Sequence, residues 1–421
     1  MPGRTVDSFE LDGLGLVRPD YAGRGLASIA PTVFRLLTGA RLRLPGLDPS
    51  VLPEKLSRGV RVVLVLLADG LGHLQLEREI ARGNAPTLGG LLRRAAEHDP
   101  CLAYAPITSV FPTTTVAALG ALNSGVVPVE HGLLGYTLWL KEYGVVAEMI
   151  RWGPLDERVS FADPPFGYSP EKFFWATSLY QRLRAVGVEH TYAVNPTRFA
   201  GTALTRMLHQ AADYRGYVAT SSMTVLVPRL LSDRSDAPVY LYAYWPTVDT
   251  VAHVHGPESD EHSAEVFAFD AALARLLERL PGRGDTLLLL TADHGHVQTS
   301  PEQQVTLSDH PRLLEMLAAP PAGERRAVYL HTQRVDEVLA YAEQELRDVA
   351  VAITREQAVR EGFFGVNQLS RRAEARIGEV LLFPRGTLQI APSPDAPATF
   401  KGLHGGLTAE EALVPLLALR V

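Results

Sequence analysis

Three uninterrupted apolar runs constrain this chain most: Val62–Ala68 (VVLVLLA), Val239–Tyr244 (VYLYAY) and Leu287–Thr291 (LLLLT). Each is far shorter than the roughly 20 residues of a membrane helix, and none shows a polar face. Strands of this kind are stable where both faces of a sheet are covered, the usual state of a mostly parallel sheet. Thr191–Val194 is a shorter candidate of the same type. Between the runs lie helical patterns such as His262–Leu280, whose apolar residues recur three and four apart until Pro281-Gly282 stops the helix. The alternation predicts an α/β fold with a doubly wound, mostly parallel central sheet and helices on both faces.

With 421 residues, 46% of them hydrophobic and 21% charged, the chain can bury a sizeable core. We expect residues 1–300 and 400–421 to form that core. Residues 301–399 then form a small α+β lid insertion, with an amphipathic helix over Val335–Val349 and a strand over Gly378–Phe383. Asp163–Ser169 reads as a loop-rich addition, and no internal repeat is present. Lys and Arg total 40 against 47 Asp and Glu, a net charge of −7, with no long basic run. This balance argues against polymeric nucleic acid as a partner and leaves a small molecule as the expected one. The lone Cys101, expected as a small buried apolar side chain, excludes an intramolecular disulfide framework and a cysteine-based zinc ribbon, so any metal must sit on His and carboxylate ligands. The start MPGRTVDSFELDG has acids where a secretory leader would be apolar; with no membrane-spanning run, this gives a cytoplasmic expectation.

The chemistry begins where the strands end. Asp69 follows the first run, Asp249 follows the second by a short turn, and Asp293 follows the third. Ligands of open α/β sheets bind beyond the carboxyl ends of the strands, so carboxylates distant in sequence can converge there. One such Asp is an ordinary turn or cap residue; three together point to a site. Asp249 and His253 stand four residues apart and share a face if the segment is helical. Asp293-His294 closes the third strand, and His404 lies in the glycine-flanked LHGGLT. Imidazole with carboxylate is the usual ligand set of zinc, with manganese or iron as competitors. His131, His255 and His296 neighbour these motifs but read as hydrogen-bonded structural groups or as partners that orient a ligand, rather than as ligands.

In Ser109–Gly125, Pro112 and the triplet Thr113–Thr115 precede an Ala/Leu-rich helix. A hydroxyl there faces unsatisfied backbone N–H groups, which favours either a helix cap or a nucleophile for phosphoryl transfer. From this segment alone both readings stay open. Gly70-Leu71-Gly72 follows a strand as a dinucleotide fingerprint would, but Gln75 occupies the third glycine position. The P-loop, H-E-x-x-H and G-x-S-x-G motifs are all absent from the sequence.

Five motifs then carry a resemblance: Asp69-Gly70; the Thr-rich segment running to Ser124-Gly125 and Pro128-x-Glu130-His131-Gly132; Asp249-x-x-x-His253-x-x-Gly256-Pro257; Asp293-His294-Gly295; and His404-Gly405. In order and spacing, over about residues 61–410, the chain resembles the nucleotide pyrophosphatase/phosphodiesterase branch of the alkaline phosphatase superfamily. That resemblance implies a threonine nucleophile, which the spacing to Gly125 and His131 puts at Thr115 rather than Thr113 or Thr114. It implies two divalent metal ions, zinc with manganese as the alternative: Asp249, His253 and His404 would hold one, and Asp69, Asp293, His294 and the Thr115 oxygen the other. Two such ions about 4 Å apart need anionic ligands, and three aspartates leave a net charge of about +1.

The family places an asparagine a few residues after its His-Gly turn, whereas this chain reads His131-Gly-Leu-Leu-Gly-Tyr136. Tyr136 either donates to a phosphoryl oxygen or packs beneath the lid. The expected activity is hydrolysis of phosphodiester or nucleotide pyrophosphate bonds through a phosphothreonine intermediate, on a small phosphate ester or nucleotide. Phosphomonoester or phosphonate hydrolysis on the same metals is the alternative. A metal-dependent phosphomutase would instead use serine and a larger intervening domain.

Overall fold

The three apolar runs lie side by side at the centre of a seven-stranded sheet in the computed structural model, which describes residues 7–232, 237–366, 368–391 and 400–421. The strand order is Leu102–Thr108, Leu413–Arg420, Thr286–Thr291, Val62–Ala68, Val239–Trp245, His190–Pro196 and Asp213–Tyr217. All pairings are parallel except those of Leu413–Arg420, which runs antiparallel to both its neighbours. Every residue of Val62–Ala68, Val239–Trp245 and Thr286–Thr291 is buried, as strands covered on both faces require. Pro106 and Pro415 are register partners in the antiparallel ladder, so their two missing donors fall at one step.

The long helix forms over Asp260–Arg279, with Ser259 accepting from the His262 N–H as its cap. It turns Val266, Phe269, Leu273 and Leu276 inward at helical spacing. Among the described residues no helix is long and apolar enough to cross a membrane. Cys101 departs from its expectation: it is exposed, in the turn before Leu102–Thr108, where its N–H donates to the Asp99 carboxylate at 2.8 Å.

A second, antiparallel sheet contains Ala350–Thr354, Val380–Pro384, Ala327–Leu330, Ala322–Glu324, Thr137–Leu140, Val145–Glu148 and Gly153–Pro154 in that order. Segment 301–391 thus supplies four strands, and Gly323 pairs with Thr137 to continue the sheet into a distant part of the chain. The helix expected over Val335–Val349 is an α-helix over Val335–Tyr341 followed by a π-helical turn over Ala342–Leu346. The strand expected over Gly378–Phe383 spans Val380–Pro384. Asn367 and residues 392–399 of the expected lid lie outside the described residues.

The same segment grips residues 131–136 at three points. Arg376 donates to the Gly132 carbonyl at 2.6 Å, the Tyr329 hydroxyl donates to the Leu134 carbonyl at 2.9 Å, and the Glu324 carboxyl accepts from the Tyr136 N–H. Burial lifts the Glu324 carboxyl to about 8, against the Tyr136 N–H and the Thr114 hydroxyl, which pull it down. A carboxyl raised in the folded state stabilises the fold fully at low pH, and that contribution is lost as pH climbs from the ordinary carboxylate range through about 8. Glu324→Gln cannot ionise, so its melting temperature relative to wild type should be higher at pH 9 than at pH 5. Thermal melts of the two proteins at both pH values check this, and an unchanged difference would contradict it.

Candidate active site

Strand order converts sequence motifs into a site. Thr286–Thr291, Val62–Ala68 and Val239–Trp245 are consecutive neighbours, so the residues following them, Asp293, Asp69 and the helix Thr247–His255, meet at one edge of the sheet. The helix puts Asp249 and His253 on one face, with Oδ1 of Asp249 at 3.3 Å from Nε2 of His253. Gly70 permits this convergence. Its φ is +73°, and a Cβ there would stand 2.7 Å from Nε2 of His296 and 2.9 Å from Cα of Asp249.

Three imidazoles are aimed by the same device. Nδ1 of His253 is 2.8 Å from the Gly402 carbonyl, Nδ1 of His404 is 2.9 Å from the Thr113 carbonyl, and Nδ1 of His294 is 3.2 Å from the Gly295 carbonyl. Each Nδ1–H donates to backbone, which leaves Nε2 as a lone pair turned inward. Two ligand triangles result. In the first, Nε2 of His404 lies 3.2 Å from Nε2 of His253 and 3.8 Å from Oδ1 of Asp249. In the second, Nε2 of His294 lies 3.5 Å from Oδ1 of Asp69 and 3.4 Å from Oδ2 of Asp293. Ligands about 2.0–2.1 Å from a tetrahedral zinc stand about 3.3 Å apart, close to the two shorter edges of the first triangle and to the two edges that His294 makes in the second.

Each threonine of the triplet has its own partner. Thr113 donates its hydroxyl to the Gly406 carbonyl at 2.8 Å and accepts from the Gly405 N–H at 3.0 Å, welding the helix start to the His404 loop. Thr114 is the cap residue of helix Thr115–Ser124, and its hydroxyl faces Glu324. Thr115 is the first helical residue, and its Oγ1 lies 3.1 Å from Nε2 of His294. The hydroxyl of Thr115 thus joins the second triangle.

The carboxylates create a demand for positive charge. Burial, followed by repulsion from Asp293 and Asp249, holds the Asp69 carboxyl well above its ordinary range. Oδ1 of Asp69 and Oδ2 of Asp293 are buried with no hydrogen-bond partner among the described residues, and they are the two oxygens of the second triangle. Such a donor set fits divalent cations, with zinc chemistry matching its mixture of imidazole and carboxylate.

Seven of the expected residues, Asp69, Thr115, Asp249, His253, Asp293, His294 and His404, therefore form one cluster. Tyr136 makes no hydrogen bond or ion pair to a cluster residue among the described residues: it is 38% exposed and tied through its N–H to Glu324, the carboxyl that Thr114 also faces. His131 is buried in the core, with Nε2 at 3.1 Å from the Ala117 carbonyl, and His255 lies outside, beside Glu261. One contact escaped sequence reasoning: the Tyr244 hydroxyl donates to Oδ2 of Asp69. His296, expected as a structural or ligand-orienting group, brings Nε2 to 3.0 Å from Oδ1 of Asp249. Tyr244 is the penultimate residue of the strand beside the one that leads into Asp69, a signal visible only once strand order is known.

If the aspartates repel one another as this geometry requires, removing one charge should stabilise the metal-free fold. Asp69→Asn should melt higher than wild type in chelator at pH 8 and lower in excess zinc, where wild type gains a ligand-binding contribution of about 4 kcal/mol at a thousandfold excess over Kd. Paired melts with and without metal check the crossover. Parallel curves would contradict it.

No curated protein sequence matches the chain. Among solved structures, murine ectonucleotide pyrophosphatase/phosphodiesterase 5, as an inactive variant in complex with AMP, superposes with a TM-score of 0.62 at 17% identity, covering 84% of this chain and 87% of that one. The human counterpart gives 0.60 at 17% identity, with 85% and 87% covered. Phosphonoacetate hydrolase from Sinorhizobium meliloti, in complex with phosphonoacetate, gives 0.62 at 17% identity, with 99% and 94% covered. At such identity these likenesses establish the shared fold. Residues 63–407 match the type I phosphodiesterase / nucleotide pyrophosphatase family, and the chain therefore belongs to that family of hydrolases within the alkaline phosphatase superfamily.

Proposed function

We propose that the chain hydrolyses phosphodiester or nucleotide pyrophosphate bonds with Thr115 as nucleophile between two divalent cations. The observation that carries this reading is the position of the Thr115 hydroxyl, 3.1 Å from His294 at the start of a helix and inside the carboxylate–imidazole cluster. Asp249, His253 and His404 would hold one cation, and Asp69, Asp293 and His294 the other together with Thr115. When bound, such cations lower the pKa of a coordinated hydroxyl and neutralise charge on attacking and leaving oxygens. We take them to be zinc, with manganese as the competitor.

In this reading the Thr115 hydroxyl gives its proton to solvent water and its oxygen attacks phosphorus in line with the leaving group. The bond from phosphorus to the leaving oxygen breaks, and a phosphothreonine or its ester remains. Backbone N–H groups of the first turn, with the positive end of the helix dipole, hold the equatorial oxygens. Water then attacks phosphorus from the vacated side and frees Thr115. In this reading the described part of the expected lid, residues 301–366 and 368–391, acts as a roof over the site. Phe400, just beyond the expected lid, lies with its ring 4.9 Å from that of His253, and Glu324 ties Thr114 to the Tyr136 loop. The substrate is a small phosphate ester or nucleotide, and the setting is cytoplasmic, in keeping with a lone, exposed cysteine.

A second reading, phosphonate or phosphomonoester hydrolysis on the same groups, draws support from the near end-to-end match with the phosphonoacetate enzyme and from Tyr136 in the family's asparagine region. Thr115→Ala should lower kcat on the best substrate by about 10³-fold or more while metal content stays at two per chain, and Thr115→Ser should keep part of the activity. A panel of a nitrophenyl phosphate, its phenyl diester, a dinucleoside pyrophosphate and phosphonoacetate separates the two readings. Activity in Thr115→Ala within tenfold of wild type would defeat both.

A further inference from the structure

His296 is fully buried in the cluster yet is anchored differently from the three other imidazoles. His253, His294 and His404 spend Nδ1 on backbone carbonyls and turn Nε2 inward. His296 instead brings Nε2 to 3.0 Å from Oδ1 of Asp249, and its Nδ1 has no hydrogen-bond partner among the described residues. An imidazole in contact with a carboxylate in this way is a donor, so the Nε2–H tautomer is the one that fits. The oxygen it touches is the one that faces His253 at 3.3 Å and His404 at 3.8 Å, the oxygen of the first triangle. A carboxylate oxygen has two lone pairs. One can take the N–H while the other is left for a cation.

We infer that His296 is a positioning residue: its Nε2–H holds the Asp249 carboxylate in the orientation that binds the cation shared with His253 and His404, and it does not itself ligate. The inference rests on the two-cation reading proposed above. Three features of the structure support it. The ring is locked, with no exposed surface from which to swing. Its backbone is pinned as well, the Gln75 amide donating to the His296 carbonyl at 2.6 Å. Its seat also depends on Gly70, where any Cβ would collide with Nε2. The second triangle, on Asp69, Asp293 and His294, contains no group that His296 touches through a hydrogen bond. The effect of His296 therefore falls on one of two cations.

The competing role is direct ligation, because metal-ligating atoms of Asp249, His294 and His296 also lie within 4.8 Å of one another. Two substitutions separate the roles. Glutamine places an amide N–H where Nε2–H stood and is a poor zinc ligand; leucine fills the space with no donor. Zinc is titrated into the metal-free proteins by competition with a chromogenic chelator, with metal per chain counted after dialysis against buffered zinc. His296→Leu should weaken one of two sites by about 10- to 100-fold and leave the other unchanged, and His296→Gln should restore the weakened site to within a few-fold of wild type. Equal affinities in His296→Leu and wild type would overturn the inference, as would a loss in His296→Gln as large as in His296→Leu, which is the signature of a ligand. Should His296→Leu fail to fold, His296→Asn, whose amide falls short of Asp249, takes its place. Wild type binding fewer than two zinc ions would instead sink the two-cation reading itself.

Discussion

Asp69, Asp249 and Asp293 are driven together at the end of three adjacent strands, and their mutual repulsion in a buried setting governs the rest of the site. Burial does most to raise the Asp69 carboxyl and its two partner aspartates raise it further, whereas the imidazoles of His253, His296 and His294 hold Asp249 low against its own burial, so the uncompensated charge falls on the Asp69 side of the cluster. A fold that keeps such a corner gives up stability there, and the deficit is recovered when cations bind. The imidazoles, the nucleophile candidate and the hydroxyl of Tyr244 are arranged around that charge.

Holding repelling groups in place needs rigid supports, and the structure concentrates them at Glu411. Its carboxylate accepts from the Gly406 N–H at 2.8 Å and the Thr408 hydroxyl at 2.7 Å, fixing the loop that carries His404. Its carbonyl accepts from the Gly295 N–H at 2.9 Å, fixing the turn that carries Asp293 and His294. Arg326, from the second sheet, donates two bonds of 3.3 Å to the same buried carboxylate. A fully buried pair of this kind adds little net stability but is costly to break on one side, so it fixes geometry more than it strengthens the fold. The segment expected as a lid is thereby also a foundation.

Much of this was legible in the sequence. The central strands announced themselves by unbroken apolar runs, and most residues of the carboxylate–imidazole cluster by Asp and His at the ends of those runs. Leu413–Arg420 and Leu102–Thr108 were harder to see, because an edge strand with mixed burial and a proline-bearing antiparallel neighbour lack the uniform pattern of buried parallel strands. The sheet shared between segment 301–391 and Thr137–Leu140 was invisible because its joint is a single pairing across a long sequence separation. His296 was set aside with good reason: a lone histidine beside a motif carries no spacing signal, and only the direction of its ring distinguishes donor from ligand.

The central claim is that two cations, not one, settle the charge of this cluster. Anomalous diffraction from crystals grown with zinc tests it most directly. The account predicts two peaks about 4 Å apart, one about 2.0–2.2 Å from ligand atoms of Asp249, His253 and His404, the other at the same distance from Asp69, Asp293 and His294. A single peak, or peaks that leave Asp69 and Asp293 without a cation, would contradict it.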